Sequence, residues 1–427
     1  MYTKRWMKKT LTQTNRRADL IVVGGGAAGM MAAGTAGELG LNVILIEKNA
    51  RPGRKLGITG KGRCNLTNNC SVQDVIAAVP TNPRFLYGAV SRFAPQDTMA
   101  FFEGLGVPLK TERGRRVFPQ SDRAGDIIDA LTRFLREHHV KILQGEARKL
   151  LIEEGGVRGV VLRDGTELLA PKVIVACGGA SYPGTGSTGD GYRLARQAGH
   201  SVLPLRPSLV PLVEQGGDCA RMQGLALKNA AVRVYERQKL IYEDFGELLF
   251  THFGVSGPVV LSASSHMRRM EPGVYRLEID LKPALPPEKL DARLQRDLEE
   301  NSNKDFINSL GALLPRKMIP ILVERSGIPP ETKCNAITRE QRRDFAALLK
   351  GFSVNIQGFR PIEEAIVTSG GVNVREINPK TMESKLVHGL YFAGEVLDVD
   401  AYTGGFNLQI AFATGRLAAQ AAKEEQE

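Results

Sequence analysis

The earliest regular pattern of apolar and polar positions in the chain predicts a strand, a helix and a second strand. The apolar run at residues 20–23 predicts a short buried strand. Small apolar residues then predict a helix from Ala27 to Leu39, which ends at Gly40. A second apolar run, at residues 42–46, predicts the next strand. Two strands joined through a helix in this way form a βαβ unit, in which the strands are parallel.

Three glycines in the turn before this helix have the spacing G-x-G-x-x-G: Gly24, Gly26 and Gly29. In dinucleotide-binding units the first glycine makes the tight turn, the second lets a pyrophosphate approach the backbone, and the third lets the helix pack against the strand. The helix N-terminus, at Ala27 and Ala28, offers free N–H groups and a positive dipole end to that anion. We therefore predict that these five residues bind a dinucleotide.

An acidic residue, Glu47, follows the second apolar run and precedes Lys48. A carboxylate about twenty residues after the glycines can accept hydrogen bonds from both hydroxyls of an adenosine ribose. The same charge would repel the 2′-phosphate of NADP. The unit is therefore predicted to bind FAD or NAD rather than NADP, and Glu47 and Lys48 belong to the predicted site.

The rest of the chain has the pattern of a split α/β domain that contains an insertion. The predicted elements after the first unit are helices at residues 82–105 and 123–138 and strands at residues 146–152, 157–162, 167–169 and 172–176. Residues 204–212 predict an extended linker, because three prolines forbid a helix. A β-type pattern covers residues 206–282 and a charged helical pattern covers residues 286–345, before glycine-rich segments return near residue 352.

Three apolar strands each end in glycine, at Gly24, Gly178 and Gly394. This arrangement is typical of a large class of FAD enzymes, in which the first strand holds the ADP half of the cofactor. Glu395, after the last of these strands, would reach the ribityl or pyrophosphate region, and a helix that begins near Gly405 would direct its positive end to the flavin ring. The predicted fold class is α/β: a three-layer, Rossmann-like FAD-binding domain with a parallel sheet and a small antiparallel sheet.

The charge of the chain is unevenly distributed. The 427 residues carry a net charge of +11, and residues 1–17 contain six Lys and Arg and no acid. We interpret this basic tail as a disordered extension or as a start placed before Met7, with a nucleic-acid-binding arm and a transit peptide as the alternatives. Further basic clusters lie at residues 51–63, 113–116 and 339–343, and they are compatible with RNA binding.

Other features of the chain argue against several classes of protein. No apolar stretch approaches the roughly 18 residues of a transmembrane helix, so no membrane partner is expected. The five cysteines are scattered and lack C-x-x-C spacing, which argues against a disulfide framework and against a zinc site. We therefore predict a cytoplasmic protein without a metal site.

The chain resembles the BaiN-like family of bacterial FAD-dependent oxidoreductases, which also contains ribosomal RNA dihydrouridine synthases. The segments that carry the resemblance follow one another in the family's order: residues 53–68 (GRKLGITGKGRCNLTN), 178–192 (GGASYPGTGSTGDGY), 249–258 (LFTHFGVSGP), 389–398 (GLYFAGEVLD) and 402–409 (YTGGFNLQ). The resemblance covers about residues 18–422. The chain departs from the family at Lys61, where the family more often has glycine, and in its basic tail.

The resemblance implies FAD as the cofactor and an inserted domain made of a small β-barrel and a helical part. It also implies that the substrate enters between the insertion and the FAD-binding domain. The chemistry it implies is reduction of a conjugated C=C bond, with NAD(P)H as the transient electron donor. The predicted boundaries are a basic tail at residues 1–17, the FAD-binding domain at residues 18–205 and 349–427, a barrel-like subdomain at residues 206–282 and a helical subdomain at residues 283–348.

The matching motifs add further predicted cofactor-binding residues. Arg54 and Lys55 would meet the FAD phosphates or the ribityl chain, unless both are solvated charges. A loop along the flavin would consist of Gly62, Arg63, Cys64 and Asn65. The remaining predicted contacts to the cofactor are Gly178, Gly179, Gly394, Glu395, Thr403, Gly404, Gly405, Phe406, Asn407 and Leu408.

Reduction of a C=C bond also requires a proton donor opposite the flavin. Cys64 is the one thiol inside a cofactor-facing motif, and Tyr182 and His252 lie in other motif loops. A cysteine in a glycine-rich turn is otherwise a small packing residue, so the three stay alternatives. A second G-x-G-x-x-G, Gly184–Gly189, begins well past the end of its strand and is not followed by a strand with a terminal acid. We therefore do not assign it to NADPH, and NAD(P)H would reach the flavin through the substrate cleft unless another donor serves.

Three functional interpretations remain open at this point. The preferred one is a flavin reductase that acts on a uridine in large-subunit ribosomal RNA, because the basic charge favours a polyanionic substrate. The second is a reductase or oxidase of small molecules, such as oxo-bile-acid or steroid enones or amines. The third is a non-catalytic flavoprotein. A shared fold determines the cofactor far better than the substrate.

Overall fold

The computed structural model describes residues 16–424. These residues form two compact units. The first unit consists of the chain up to Ser208 and again from Ile362 onward, and the second unit is Leu209–Pro361. The second unit is therefore an insertion in the first.

The elements follow in chain order. The strands before the insertion are β1 (Leu20–Val23), β2 (Val43–Glu47), β3 (Thr67–Asn68), β4 (Leu109–Glu112), β5 (Arg116–Pro119), β6 (Lys141–Gln144), β7 (Ala147–Glu153), β8 (Gly156–Leu162), β9 (Glu167–Leu169), β10 (Lys172–Val175) and β11 (Val202–Ser208). The α-helices there are α1 (Ala27–Glu38), α2 (Val72–Ala77), α3 (Pro83–Arg92), α4 (Pro95–Gly104), α5 (Ala124–Glu137) and α6 (Asp190–Gln197). The insertion contains the strands β12 (Leu212–Glu214), β13 (Ala226–Glu236), β14 (Lys239–Thr251), β15 (Gly254–Ser256), β16 (Tyr275–Asp280) and β17 (Phe352–Phe359). Its α-helices are α7 (Asp218–Arg221), α8 (Pro258–Ser264), α9 (Pro287–Glu300), α10 (Phe306–Ser309), α11 (Ile319–Ser326) and α12 (Arg339–Lys350). The first unit is completed by β18 (Val367–Val372), β19 (Leu390–Phe392) and α13 (Phe406–Glu424).

A five-stranded parallel sheet lies at the centre of the first unit, with the strand order β19-β10-β1-β2-β6. Every residue of the four strands other than β6 is buried, as expected for parallel strands that are covered on both faces. Helices α1 and α13 pack so closely that a Cβ on Gly415 would lie 2.3 Å from the carbonyl oxygen of Ala28. The predicted Rossmann-like fold is confirmed, and the three strands that end in glycine are direct neighbours.

The first unit also contains three small antiparallel sheets, β3-β5-β4, β7-β8-β9 and β11-β18. Residues 204–208 of the segment predicted as an extended linker belong to strand β11, whose register with β18 is irregular between Leu203 and Arg206. Pro204 lies in this irregular stretch and has no N–H to donate to the neighbouring strand. The helical stretch predicted at residues 82–105 is divided into α3 and α4, because Pro95 is the first residue of a new helix.

The second unit is built on a closed six-stranded barrel, β12-β15-β14-β13-β16-β17. Apolar side chains of the barrel and of the helices α9–α12 form one hydrophobic core. The FAD-binding domain was predicted to resume at residue 349, but β17 closes the barrel between β12 and β16, and the first unit resumes only at Ile362. At the other boundary, the pairing of β11 with β18 extends the first unit to Ser208 rather than to residue 205.

Several sequence predictions concern the ends of the chain and its composition. Of the basic tail predicted at residues 1–17, residues 1–15 lie outside the described residues, and Arg17 forms an isolated β-bridge with Leu169. All five cysteines are unpaired. None of the helices between residues 16 and 424 is both long enough and apolar enough to cross a membrane.

A buried polar cluster joins three segments of the first unit. The Nδ1 atom of His200 lies 3.0 Å from a carboxylate oxygen of Glu376, and its Nε2 atom lies 2.7 Å from the hydroxyl of Ser384. Backbone N–H groups of Leu386 and Val387 already donate to that hydroxyl oxygen. The hydroxyl proton is therefore directed to Nε2, and Nδ1–H donates to Glu376. Because burial lowers the pKa of His200 below its ordinary value of 6.5, the folded state holds a neutral imidazole.

This cluster makes the stability of the first unit sensitive to mild acid. Below pH 6.5 the unfolded chain protonates this histidine more readily than the folded chain does, so unfolding becomes easier as the pH falls. We expect the free energy of unfolding to drop between roughly pH 6.5 and 5.5 through this group, by at most about 1 kcal/mol. Thermal melts of wild type and His200→Gln at both pH values check this, with His139→Gln as the control for loss of an exposed imidazole. Equal acid sensitivity in the wild type and in His200→Gln would contradict it.

Candidate cofactor site

The carboxyl ends of three neighbouring parallel strands meet at one edge of the central sheet. Val23 of β1 is level with Val175 of β10, and Val175 is level with Phe392 of β19. The turns that follow these strands contain Gly24, Gly178 and Gly394, so the three glycine turns lie side by side. In open α/β sheets this edge is where ligands bind.

The three glycines of the first turn differ in what surrounds them. Gly24 has a φ of +104°, and a Cβ there would lie 2.5 Å from the carbonyl oxygen of Ala176. A Cβ on Gly29 would lie only 1.8 Å from the carbonyl oxygen of Gly24. A Cβ on Gly26, in contrast, would have no atom within 4 Å. Packing therefore demands the first and third glycines, whereas the second borders an open space.

That open space lies at the N-terminus of helix α1. Gly26 is the N-cap residue, no side chain caps the helix, and its first turn contains no acid. The first N–H groups of a helix have no partner within the helix, so they are available to an anion. A dinucleotide pyrophosphate fits both the space and the donors.

Glu47 ends strand β2 beside this turn and is almost fully buried. One carboxylate oxygen accepts from the N–H of Gly25 at 2.8 Å, and the other accepts from the backbone and side-chain nitrogens of Asn49 at 2.7 and 2.8 Å. A carboxylate offers about four acceptor positions, so one remains for a hydroxyl group. The sequence analysis did not predict Asn49 as a partner of Glu47. Its position two residues after Glu47 is the signal that could have indicated this contact.

Lys48 lies with the second glycine-rich segment. Its ammonium nitrogen is 2.6 Å from a carboxylate oxygen of Asp190 and 2.5 Å from the hydroxyl of Thr188. Asp190 is in the first turn of α6, where its charge interacts with the positive end of the helix. The ion pair between Lys48 and Asp190 therefore joins the end of β2 to the start of α6.

An ion pair joins the early loop to the last strand of the sheet. The Lys55 ammonium nitrogen lies 2.7 Å from one carboxylate oxygen of Glu395. It also donates to the hydroxyl of Ser181 at 2.7 Å. The other oxygen of Glu395 accepts from the N–H of Thr368 at 2.9 Å. Glu395 thus connects four segments of the first unit, and Ser181 and Thr368 are members that the sequence analysis did not assign.

The glycine turns after β10 and β19 are tightly packed around this network. A Cβ on Gly179 would lie 2.4 Å from the hydroxyl of Thr368 and 2.6 Å from a carboxylate oxygen of Glu395. Gly178 has a φ of +71°, and Gly394 has a φ of +76° with Ala28 2.8 Å from an added Cβ. These glycines allow the strand ends to approach α1 and Glu395.

The residues predicted to bind FAD between Arg54 and Arg63 differ in their surroundings: some are exposed to solvent, and one forms ion pairs. Arg54 and Gly62 are exposed. Arg63 is partly exposed and forms ion pairs with two acids of the same unit, Glu112 and Asp122. These ion pairs fix the loop to the segment that contains the β4–β5 hairpin, and the contact of Arg63 with the flavin stays a prediction.

Asn65 supplies a second observation that fits a bound cofactor. Its side-chain oxygen is buried and accepts no hydrogen bond within residues 16–424. Leaving such an acceptor unsatisfied costs roughly 1–3 kcal/mol. A ring N–H of a flavin is the kind of donor that would satisfy it. The open space at Gly26 and the acceptor on Asn65 therefore both fit FAD.

The last group of predicted residues lies in the turn before helix α13 and in the first turn of that helix: Thr403, Gly404, Gly405, Phe406, Asn407 and Leu408. A Cβ on Gly405 would lie 2.3 Å from the carbonyl oxygen of Thr67, so glycine is required there. The side chain of Asn407 bonds in both directions to the backbone of Ala401 and therefore fixes the turn. The first turn of α13 contains no acid, which leaves its positive end available to a ligand.

The three candidate proton donors have very different surroundings. Cys64 is fully buried, and burial raises the pKa of its thiol to about 12. A thiol without exposed surface is a packing residue, so the geometry does not favour Cys64 as the acid. Tyr182 is exposed in the loop after β10, and His252 is exposed in the barrel turn between β14 and β15 of the second unit. No cluster of metal-binding side chains occurs in the described part of the chain.

Comparison with known proteins agrees with this arrangement. A family model described as the HI0933-like protein Rossmann domain matches residues 18–421. The chain is 34% identical to the 3-dehydro-bile acid delta(4,6)-reductase of Clostridium scindens over 94% of its own length and 98% of the relative. It is 32% identical to the ribosomal RNA dihydrouridine synthase of Escherichia coli over 95% of its own length and 98% of the relative.

Solved structures show the same fold at low sequence identity. The 3-ketosteroid delta1-dehydrogenase of Sterolibacterium denitrificans superimposes with a TM-score of 0.52 at 15% identity, over 96% of this chain and all of that one. A flavocytochrome c3 fumarate reductase superimposes with a TM-score of 0.50 at 17% identity, over 96% of this chain and 78% of that one. At such identities the similarity concerns the fold alone.

Proposed function

Because the chain belongs to the HI0933-like family, whose members are FAD-dependent oxidoreductases, we propose that it reduces a carbon–carbon double bond conjugated to a carbonyl group. The proposed substrate is a uridine in large-subunit ribosomal RNA, and NAD(P)H is the proposed electron donor. In this reaction a hydride and a proton add across the C5=C6 bond of uracil, and the nicotinamide is oxidised. The two kinds of full-length relative support the reaction type, because their names share one chemistry, the saturation of such a double bond.

The proposal assigns FAD to the glycine turns at the edge of the central sheet. When bound there, FAD supplies the hydride for the reduction. The open space at Gly26 and the uncapped N-terminus of α1 would receive the pyrophosphate, and Glu47 would accept from the ribose. Asn65 would accept from the flavin ring. Of the candidate acids, Tyr182 and His252 have the exposure that a proton donor needs, whereas Cys64 does not.

The observation that carries the choice of RNA is the distribution of charge. Residues 51–65 and 109–123 together contain ten Lys and Arg and only two acids, a net charge of +8 in a chain of net charge +11. The first of these segments is the loop beside the candidate cofactor site. A concentrated positive charge next to a catalytic cleft attracts a polyanion.

The experiment is a measurement of dihydrouridine in large-subunit ribosomal RNA, by nuclease digestion and mass spectrometry, in the host with and without this gene. We expect a dihydrouridine to disappear on deletion, to return with the intact gene, and to return at a lower level with the Gly26→Ala variant. Unchanged dihydrouridine in the deletion strain would refute the RNA substrate.

A small enone is the second candidate substrate, favoured by the full-length similarity to the bile-acid reductase. It predicts that the purified flavoprotein, supplied with NADH or NADPH, reduces a steroid with a 3-oxo group conjugated to double bonds. Ribosomal RNA from the deletion strain would then be unchanged. Turnover of the steroid without any effect on RNA would decide for this candidate.

A further inference from the structure

Two segments carry a group of exposed basic side chains: residues 113–123, which include the turn of the β4–β5 hairpin, and the loop between β2 and β3. We call it the basic face and define it by its members, Lys61, Arg113, Arg115, Arg116 and Arg123. We propose that the basic face binds phosphates of the ribosomal RNA strand that carries the target uridine. This inference rests on the proposed function and names the surface through which the substrate is held.

The two segments of the basic face are fixed to each other. Arg63 of the loop forms ion pairs with Glu112 and Asp122, and its guanidinium lies 4.1 Å from the ring centre of Phe118. The N–H of Leu66 donates to the carbonyl oxygen of Val117 at 3.0 Å. The loop and the hairpin therefore present their charges as one surface.

The two acidic residues in or next to these segments, Glu112 and Asp122, both form ion pairs within the first unit. Glu112 pairs with Arg63, and Asp122 pairs with Arg63 and with Lys110 at 2.7 Å. These contacts hold the pKa of Asp122 below its usual value, chiefly through the hydrogen bond from Lys110. Both carboxylates therefore stay charged and engaged at neutral pH, and neither neutralises the basic face.

The members of the basic face are available to an anion. Lys61, Arg113, Arg116 and Arg123 form no ion pair with any residue between 16 and 424. Arg115 pairs only with Asp74, at 3.3 Å, and the exposed fractions of the two side chains are 66% and 53%. A pair that is this exposed is worth little, so a phosphate can replace Asp74 as its partner.

The basic face also lies beside the candidate cofactor site. The side-chain nitrogen of Asn68 donates to the carbonyl oxygens of Gly114 and Gly404, both at 3.0 Å. Gly114 is in the turn between Arg113 and Arg115, and Gly404 is in the turn that starts α13. The Asn68 side chain alone thus lies between the basic face and a turn that we assign to FAD. An RNA strand bound to the basic face would therefore have its bases near the candidate cofactor site.

Two members of the basic face have backbone conformations that favour glycine. Lys61 has a φ of +60° and Arg115 a φ of +58°. A side chain in this left-handed region costs roughly 1–2 kcal/mol relative to the right-handed one. Glycine at either position removes the charge and also relieves the backbone. We therefore expect such variants to fold, and their FAD content reports whether they do.

The test uses the holoprotein and protein-free large-subunit ribosomal RNA from the deletion strain. The face variant combines Lys61→Gly, Arg113→Gln and Arg115→Gly. The control variant combines Arg148→Gln, Lys149→Gln and Arg158→Gln, which removes three exposed and unpaired cations of the described structure from β7 and β8. Affinity is measured by filter binding over a series of salt concentrations, alongside FAD content and dihydrouridine formation in the complemented strain.

We expect the face variant to bind RNA at least about tenfold more weakly and to lower the salt slope by about 2, since each lost phosphate contact on a single strand contributes roughly 0.7. Its FAD content should equal that of the wild type, and the control variant should bind as the wild type does. The inference would be overturned if the face variant bound RNA as tightly as the wild type, or if the face and control variants lost equal RNA affinity. In either case, dihydrouridine formation by the wild type would still support the proposed function. If the wild type forms no dihydrouridine, the proposed function itself fails, and this inference fails with it.

Discussion

Alanine at Gly29 will prevent the first unit from folding stably, whereas alanine at Gly26 will leave it folded but with weaker FAD binding. The added methyl group on Gly29 would lie 1.8 Å from the carbonyl oxygen of Gly24, so strand β1 and helix α1 would have to separate. Overpacking of this kind costs about 3 kcal/mol or more when the obstacle is backbone. The methyl group on Gly26 meets no atom within 4 Å and leaves the fold undisturbed. It fills the space that we assign to the pyrophosphate, at a cost of roughly 1–3 kcal/mol, or about ten- to hundredfold in FAD affinity.

Thermal melts of the FAD-free variants and titrations with FAD separate these two effects. Gly104→Ala is the control, because an added Cβ there also meets nothing within 4 Å and the position is the last residue of α4, away from the sheet edge. We expect wild-type melting and FAD affinity for Gly104→Ala. If Gly26→Ala binds FAD with wild-type affinity, the pyrophosphate is not at the N-terminus of α1.

Removal of either partner of the Lys55–Glu395 ion pair will destabilise the first unit by about 1–3 kcal/mol. The side chains are only 21% and 20% exposed, so water compensates poorly for a lost partner. In Lys55→Met the carboxylate of Glu395 keeps the donors Ser181 and Thr368 but loses its counter-charge. In Glu395→Gln the ammonium of Lys55 keeps the hydroxyl of Ser181 and can reach the amide oxygen at position 395, but it loses its counter-charge.

A double-mutant cycle separates the coupling energy between Lys55 and Glu395 from the other stability that each single substitution removes. The free energies of unfolding of the wild type, both single variants and the Lys55→Met/Glu395→Gln double variant are compared. We expect a coupling energy of about 1–2 kcal/mol, with the double variant more stable than the sum of the single losses implies. Strictly additive losses would show that the two charges do not stabilise each other.

The βαβ unit could be predicted because its determinants are local. Gly24, Gly26 and Gly29 lie within six consecutive positions, and their roles follow from backbone sterics that a sequence displays directly. The apolar runs of β1 and β2 are continuous because both faces of a parallel strand are buried. The glycine ends of the three strands were found for the same reason, since each is a feature of one short segment.

The boundary of the insertion and the partners of the charged residues were not predictable in this way. Strand β17 follows a long helical segment, and only its pairing with β12 and β16 assigns it to the barrel. Arg63 forms ion pairs with Glu112 and Asp122, which are 49 and 59 positions further along the chain. The order of residues does not show which of many acids a given arginine will reach.

The sequence by itself determined the dinucleotide-binding turn, the parallel sheet, the family and hence the cofactor, because each depends on short-range backbone geometry or on contiguous motifs. Only the tertiary structure decided that Cys64 is buried, that Lys55 is paired with Glu395 340 positions away, and that Arg63 ties its loop to Glu112 and Asp122. Burial and ion pairing depend on which distant segments the folded chain brings together. The residue type therefore gives the charge of a side chain. Whether that charge is buried, paired or exposed depends on the neighbours that folding brings to it.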